Sequence, residues 1–183
     1  MSAHNEHGEV IIRRATLADV EGMHALINHF AAQGLMLPKA RSALYQNIRD
    51  FYVAEAAASP MSASPMQPSA AVGDEGRGAL AGCGALHVIW VDLGEIRSLA
   101  VAEPYQKDGV GRRIAEALLR DAESLRLPRV FALTYQKPFF ERLGFVEVDK
   151  TDMPHKVWGE CMDCPKFPNC DEIAMIKDAP FLE

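Results

Sequence analysis

Positive charge is in the minority in this sequence: 19 Lys and Arg stand against 25 Asp and Glu, a formal net charge of −6. That deficit excludes nucleic acid as the main partner, because neutralising a phosphate backbone takes a broad cationic surface. Long apolar runs are missing too. None approaches the ~20 residues of a membrane-spanning helix, so no membrane partner is expected. The first ten residues, MSAHNEHGEV, are polar and lack the apolar stretch of a secretory leader, which makes the cytoplasm the expected compartment. Cysteine is scarce, with four in the chain and three of them crowded into CMDCPKFPNC. In a reducing compartment stable disulfides are not expected. There is no internal repeat.

What is present is ordinary globular material: 49% hydrophobic and 24% charged residues in 183, enough for one domain with a real core. The reading is a single domain over 1–183. Strands are expected at Glu9–Ala15, Phe51–Glu55, Ala79–Trp90, Glu95–Val101, Arg129–Tyr135, Phe145–Val148 and Glu172–Lys177. Thr16 can cap a helix whose inner face is Leu17, Val20, Met23, Ile27 and Phe30, stopped by Gly34. A shorter helix is expected over Lys39–Arg49, with Leu44 and Ile48 inward. A third follows the Gly109/Gly111 loop, with Val110, Ile114, Ala117, Leu118, Ala122 and Leu125 on one side and Pro128 as its end. A fourth starts at Pro138 and closes at Gly144. The Ala/Ser/Pro-rich segment 56–78 buries little and reads as a flexible loop, and 155–171 as a Cys-rich one. A hairpin turn is expected near Asp92-Leu93-Gly94. The order β-α-α-β-β-β-α-β-α-β-β predicts an α+β sandwich around a largely antiparallel sheet.

The stretch IRSLAVAEPYQKDGVGRRIAEALL joins a strand to a helix through a glycine loop. A helix start leaves backbone N–H groups unpaired, and its dipole favours an anion. Gly109 and Gly111 let that backbone approach a ligand, and Lys107 and Arg112 add charge. The combination suits a phosphate, most simply a pyrophosphate. A P-loop would need Lys-Ser/Thr after the last glycine, and a dinucleotide fingerprint would need Gly or Ala where Ile114 stands. What remains is Q-x-x-G-x-G, Gln106 to Gly111.

LGEIRSLAVAEPYQKDGVGRRIAEALL resembles the central motif of the GNAT superfamily of acetyl-CoA-dependent N-acetyltransferases, and the element order from Glu9 to Lys177 is similar to that fold. The likeness implies a mixed, largely antiparallel sheet flanked by helices in three layers, α/β/α. It implies that Gln106, Lys107, Asp108, Gly109, Val110, Gly111 and Arg112 wrap the pyrophosphate of acetyl-CoA, the cosubstrate. Leu99, Ala100 and Val101 would offer backbone to the pantetheine arm, where their strand splays from Arg129–Thr134. EIRSLAV, RVFALTYQKPFFERLGF and the tail DKTDMPHKVWGECMDCPKFPNCDEIAM resemble stand-alone N-acetylglutamate synthase-type proteins. That implies transfer to the α-amine of an amino acid, with L-glutamate leading, in arginine biosynthesis.

Acetyl transfer to an amine needs a base for the ammonium, a polarised thioester carbonyl and a proton for the thiolate. Glu95 is the candidate base, at the start of the strand that would pass the thioester. Arg97, two residues on, shares its strand face and is the candidate clamp for an acceptor carboxylate. Many family members carry a Tyr as the acid before ERLGF. Here Phe140 stands there, and Tyr135 is the substitute candidate. Lys156, with His155, is expected at the acceptor pocket. Cys161, Cys164 and Cys170 give C-x₂-C-x₅-C, a spacing that leaves a zinc ion open, with His155 or Asp171 as fourth ligand; no metal is assigned. Two other readings stay open: a GNAT enzyme for another amine, such as a protein N-terminus or a small molecule, and a non-catalytic acyl-CoA or metal sensor. The expected partner is a small-molecule amine, and a homodimer is left open.

Overall fold

The computed structural model describes residues 9–57, 78–153 and 169–181. One seven-stranded sheet runs through them in the order β1-β2-β3-β4-β5-β7-β6. The strands are β1 Val10–Arg14, β2 Phe51–Ala56, β3 Leu80–Trp90, β4 Leu93–Val101, β5 Arg129–Thr134, β6 Val146–Val148 and β7 Ile173–Asp178. The helices are α1 Val20–Ala32, α2 Arg41–Gln46, α3 Val110–Ser124 and α4 Lys137–Glu141. Every neighbouring pair is antiparallel except β4 and β5, which are joined by the α3 crossover that a parallel pair requires. The fold is the three-layer α+β sandwich expected.

The two larger cores lie on opposite faces of the sheet, and a smaller cluster gathers Leu93, Phe131, Met153 and Ala174. On one face α3 buries Val110, Ile114, Ala115, Leu118, Leu119 and Ala122 against Leu86, Ile96, Val130 and Met175, with Phe140 of α4 in the same cluster. On the other, α1 and α2 bury Val20, Met23, Ile27, Phe30 and Leu44 against Phe51, Val53, Cys83 and Ala85. Each such aliphatic side chain contributes about 2 kcal/mol by leaving water. Close approach of α3 depends on Gly84: a Cβ there would lie 2.9 Å from Leu99 Cδ1 and 3.0 Å from Ile114 Cγ2.

The elements depart from expectation mainly at their ends. Thr16 caps a 3₁₀ turn, Leu17–Asp19, that leads into α1. The second helix stops at Gln46, and Ile48–Asp50 forms another 3₁₀ turn. Trp90 pairs with Leu93, so Val91-Asp92 is the hairpin turn and Leu93 and Gly94 belong to β4. α3 ends at Ser124, well before Pro128, because Arg126 takes a left-handed φ of 56°. Leu125, expected on the inner face, therefore falls on the cap and is exposed. Apart from Ala56, Ala57 and Gly78, the expected loop 56–78 lies outside the described residues, as does most of 155–171.

Candidate functional site

Strand β4 makes the site, through two irregularities. The first is a bulge. Ala85 pairs with Arg97 and Cys83 with Ala100, so Ser98 and Leu99 stand opposite Gly84 alone. Ser98 absorbs the extra residue with a φ of 54°. A bulge flips the alternation of the strand. Before it, Ile96 faces α3 while Glu95 and Arg97 face the other way. After it, Leu99 and Val101 pack on the α3 core and Ala100 joins the α1 core.

The second irregularity is a parting of strands. β4 and β5 pair only at Gly94–Val130 and Glu95–Phe131. Among the described residues, β4 pairs only with β3 from Ile96 onward, and β5 only with β7 from Ala132 onward. Between them opens a wedge whose two walls are strand edges with backbone groups to satisfy. A cavity of about 1300 Å³ fills it.

At the wide end of the wedge sits the start of α3. The residues before it form a 3₁₀ turn, Glu103–Tyr105, followed by two left-handed residues, Lys107 (φ 71°) and Gly109 (φ 76°). Gly109 is the N-cap, and nothing lies within 4 Å of where its Cβ would be, so its requirement is conformational, not steric. Gln106 Nε2 donates to the Val101 carbonyl at 2.9 Å, fixing the turn to the strand. Arg112 pairs with Glu116 at 2.7 Å along α3. A bond of 2.8 Å between His29 and Glu103 ties α1 to the turn and holds the Glu103 carboxyl below the usual range.

At the narrow end Glu95 and Arg97 both line the cavity, with Ser98 between them and the strand's later residues. On the opposite wall Tyr135 lines it just beyond the end of β5, and its hydroxyl donates to Asp171 Oδ1 at 2.5 Å. Phe140 is buried and stacked edge-on against Phe139 and Phe145, so α4 presents no acid there.

Of the residues named from the sequence, Glu95, Arg97, Leu99, Ala100, Val101, Gln106, Lys107, Gly109, Gly111, Arg112 and Tyr135 all meet on this one cavity. Asp108 is exposed and off its wall, and the Val110 side chain is buried in the α3 core. Lys156, His155, Cys161 and Cys164 lie outside the described residues. Cys170 is described: its Sγ lies 3.7 Å from Glu172 Oε2, while Lys150 Nζ donates to its carbonyl at 2.6 Å. Among the described residues no three His, Cys, Asp or Glu side chains gather as a metal site. Also among them, no helix is long and apolar enough to cross a membrane.

The cavity adds residues the sequence reading missed. Met36, Leu37, Pro38 and Lys39, after α1, close one side, anchored by Asn28 Nδ2 donating to the Lys39 carbonyl at 2.9 Å. Arg142 and Lys150 bring cations from beyond β5. No spacing rule links these segments to β4; only the sheet order brings them together.

Comparison with known proteins gives a consistent picture. Residues 41–145 match the Acetyltransferase (GNAT) family. The chain is 34% identical over 169 residues to Uncharacterized N-acetyltransferase CT2212 of Chlorobaculum tepidum, covering 92% of this chain and 96% of that protein. It is 37% identical over 150 residues to an Amino-acid acetyltransferase of Mycobacterium tuberculosis, covering 82% of this chain and 76% of that one. Among solved structures, Rv2747 from M. tuberculosis, in complex with CoA and NLQ, is similar with a TM-score of 0.71 and 32% identity, over 92% of this chain and 98% of that one.

Proposed function

The chain belongs to the acetyltransferase (GNAT) family, an N-acetyltransferase by descent, and on that premise we propose that it moves the acetyl group of acetyl-CoA to the α-amine of an amino acid, with L-glutamate the leading acceptor. The observation that carries this reading is the wedge between β4 and β5. It has a glycine-capped helix start at one end and a carboxylate beside a guanidinium at the other.

The substrate diphosphate would lie on the amides from Gly109 to Arg112, where the helix dipole and Lys107 favour negative charge. The pantetheine arm would run along the edge of Leu99–Val101 that has no strand partner in β5, as an added strand. The bulge at Ser98 interrupts the regular pairing of β4 beside the wedge, and a backbone N–H freed there could polarise the thioester carbonyl. The reacting carbon would then sit near Glu95, the candidate base for the ammonium. The thiolate needs a proton as it leaves. Tyr135 is the candidate donor, and its bond to Asp171 would have to open for that step. Solvent is the other source.

An acidic amino acid suits the charge of the walls. Arg97, Lys39, Arg142 and Lys150 line the cavity against Glu95 and Glu172, leaving it cationic on balance. The M. tuberculosis relative is named an amino-acid acetyltransferase, which supports an amino acid as the acceptor but does not choose among them. Arginine biosynthesis is the pathway that acetylated glutamate would serve.

The test is a thiol-release screen with acetyl-CoA and each of the twenty amino acids. Release of free CoA should be fastest with L-glutamate. Fastest release with a non-acidic amino acid would replace glutamate, and release with none would remove the amino-acid reading.

A further inference from the structure

Between its two irregularities the register of β3 and β4 runs regularly through four pairs, Ala85–Arg97, Leu86–Ile96, His87–Glu95 and Val88–Gly94. Within that stretch His87 is directly opposite Glu95, and opposed side chains in an antiparallel pair share a face, their Cβ atoms about 5 Å apart. Leu86 and Ile96 point to α3, so His87 and Glu95 share the other face. His87 is partly buried. Its Nδ1 lies 2.8 Å from Asp50 Oδ2, in the 3₁₀ turn that precedes β2. A bond of this kind fixes one tautomer, with Nδ1–H donating to the carboxylate, so proton exchange with a neighbour falls to Nε2.

We propose that His87, oriented by Asp50, is a positioning residue for Glu95 and the outlet for the proton Glu95 collects. This rests on Glu95 being the base. The proton balance is simple. The acceptor ammonium gives a proton to the Glu95 carboxylate, directly or through water. Glu95 passes it to His87 Nε2, making an imidazolium paired with Asp50. Nε2 then releases it to solvent, and Glu95 is restored. One N–H bond of the acceptor breaks, its proton ends in solvent, and no oxidation state changes. Histidine is the side chain suited to this, because its charge changes between pH 5 and 8. Among the described residues, charged groups on this face are Asp50 from the turn and Glu95 and Arg97 from β4. β2 and α1 bring apolar neighbours to this face: Phe51, Val53 and Ile27.

Two measurements decide it. The first needs no substrate: the His87 ring nitrogens are followed by NMR in the wild-type chain, E95Q and D50N, the signals identified by their loss in H87Q. D50N should move the Nδ1 resonance and E95Q the Nε2 resonance, each ring nitrogen reporting its own partner. The second is the pH–rate profile with acetyl-CoA and the amino acid that releases most CoA. H87Q should lower kcat about tenfold, leave both KM values within about twofold, and erase the limb in which rate rises through the imidazole range. An E95Q chain that leaves the His87 Nε2 resonance unmoved, or an H87Q enzyme with wild-type kcat and profile, overturns the proposal. If E95Q is slow while H87Q is not, only the outlet falls. If E95Q is as fast as wild type, the base assignment falls and takes the outlet with it. D50N carries the same kinetic test should H87Q fail to fold.

Discussion

Arg97 stands two residues after Glu95 on the straight part of β4, before the bulge at Ser98, so both side chains reach the narrow end of the cavity. A guanidinium there can hold a carboxylate through two parallel hydrogen bonds. Charge-assisted bonds are worth about 1.5–3 kcal/mol, which corresponds to roughly a 10–100-fold change in binding. Arg97→Ala should therefore raise KM for an acidic amino acid by roughly 10–100-fold and leave KM for acetyl-CoA within about twofold. Steady-state kinetics with each substrate varied in turn reads this directly. An unchanged KM for the acid would remove Arg97 from the acceptor site. At this scale the sequence was a good guide wherever geometry is local. Alternation along a strand put Glu95 and Arg97 together. It gave no view of Lys39, Arg142 or Lys150, which reach the same cavity from three other segments. Nor did it reveal that Tyr135 is bonded to Asp171, 36 residues away.

Among the elements, the junction of β4 with α3 sets the site's shape, and Gly109 is its most constrained point. Its φ of 76° is the left-handed conformation that costs an L-residue about 1–2 kcal/mol. Space is available around it, so alanine meets no clash, only the backbone penalty. Gly109→Ala should destabilise the chain by about 1 kcal/mol in urea unfolding and weaken acetyl-CoA binding in calorimetry, as the loop relaxes away from its amide-presenting form. Unchanged stability and unchanged binding together would show that this loop neither needs the left-handed residue nor holds the diphosphate. Glycine spacing made this junction visible in the sequence, because φ > 0 leaves a residue-type signature. The bulge left no such mark: Ser98 is an ordinary strand residue by composition, and its φ of 54° follows from how β3 and β4 fit together. The same is true of the early end of α3, where periodicity alone ran on through Leu125.

Across the whole molecule, the wedge requires the two halves of the sheet to part while the rest stays closed, so the far edge must be fastened. Arg13 of β1 does this. Its guanidinium takes both oxygens of Asp19 at 2.8 Å each and Glu55 of β2 at 2.6 Å. Asp19 also accepts from the Thr16 amide and hydroxyl at the start of α1, and Glu55 accepts from the Gly78 amide before β3. Burial alone would raise the Asp19 carboxyl; the bonds from Arg13 and Thr16 outweigh it and hold the group below its ordinary value. The Gly78 amide and Arg13 do the same for Glu55. A folded value below the unfolded one means stability that is complete above the unfolded values, about 3.9 for Asp and 4.3 for Glu, and is lost as pH falls through the folded values. Asp19→Asn keeps the shape and removes the charge, leaving Arg13 part-buried with one partner fewer. At pH 7 it should cost about 2 kcal/mol in urea unfolding. At pH 3, below the ordinary value of about 3.9, the unfolded chain's carboxyl takes up a proton that the folded one resists, so the gap between the two chains should narrow. A gap of the same size at both pH values would mean that Asp19 fastens this edge by packing alone and not by its charge.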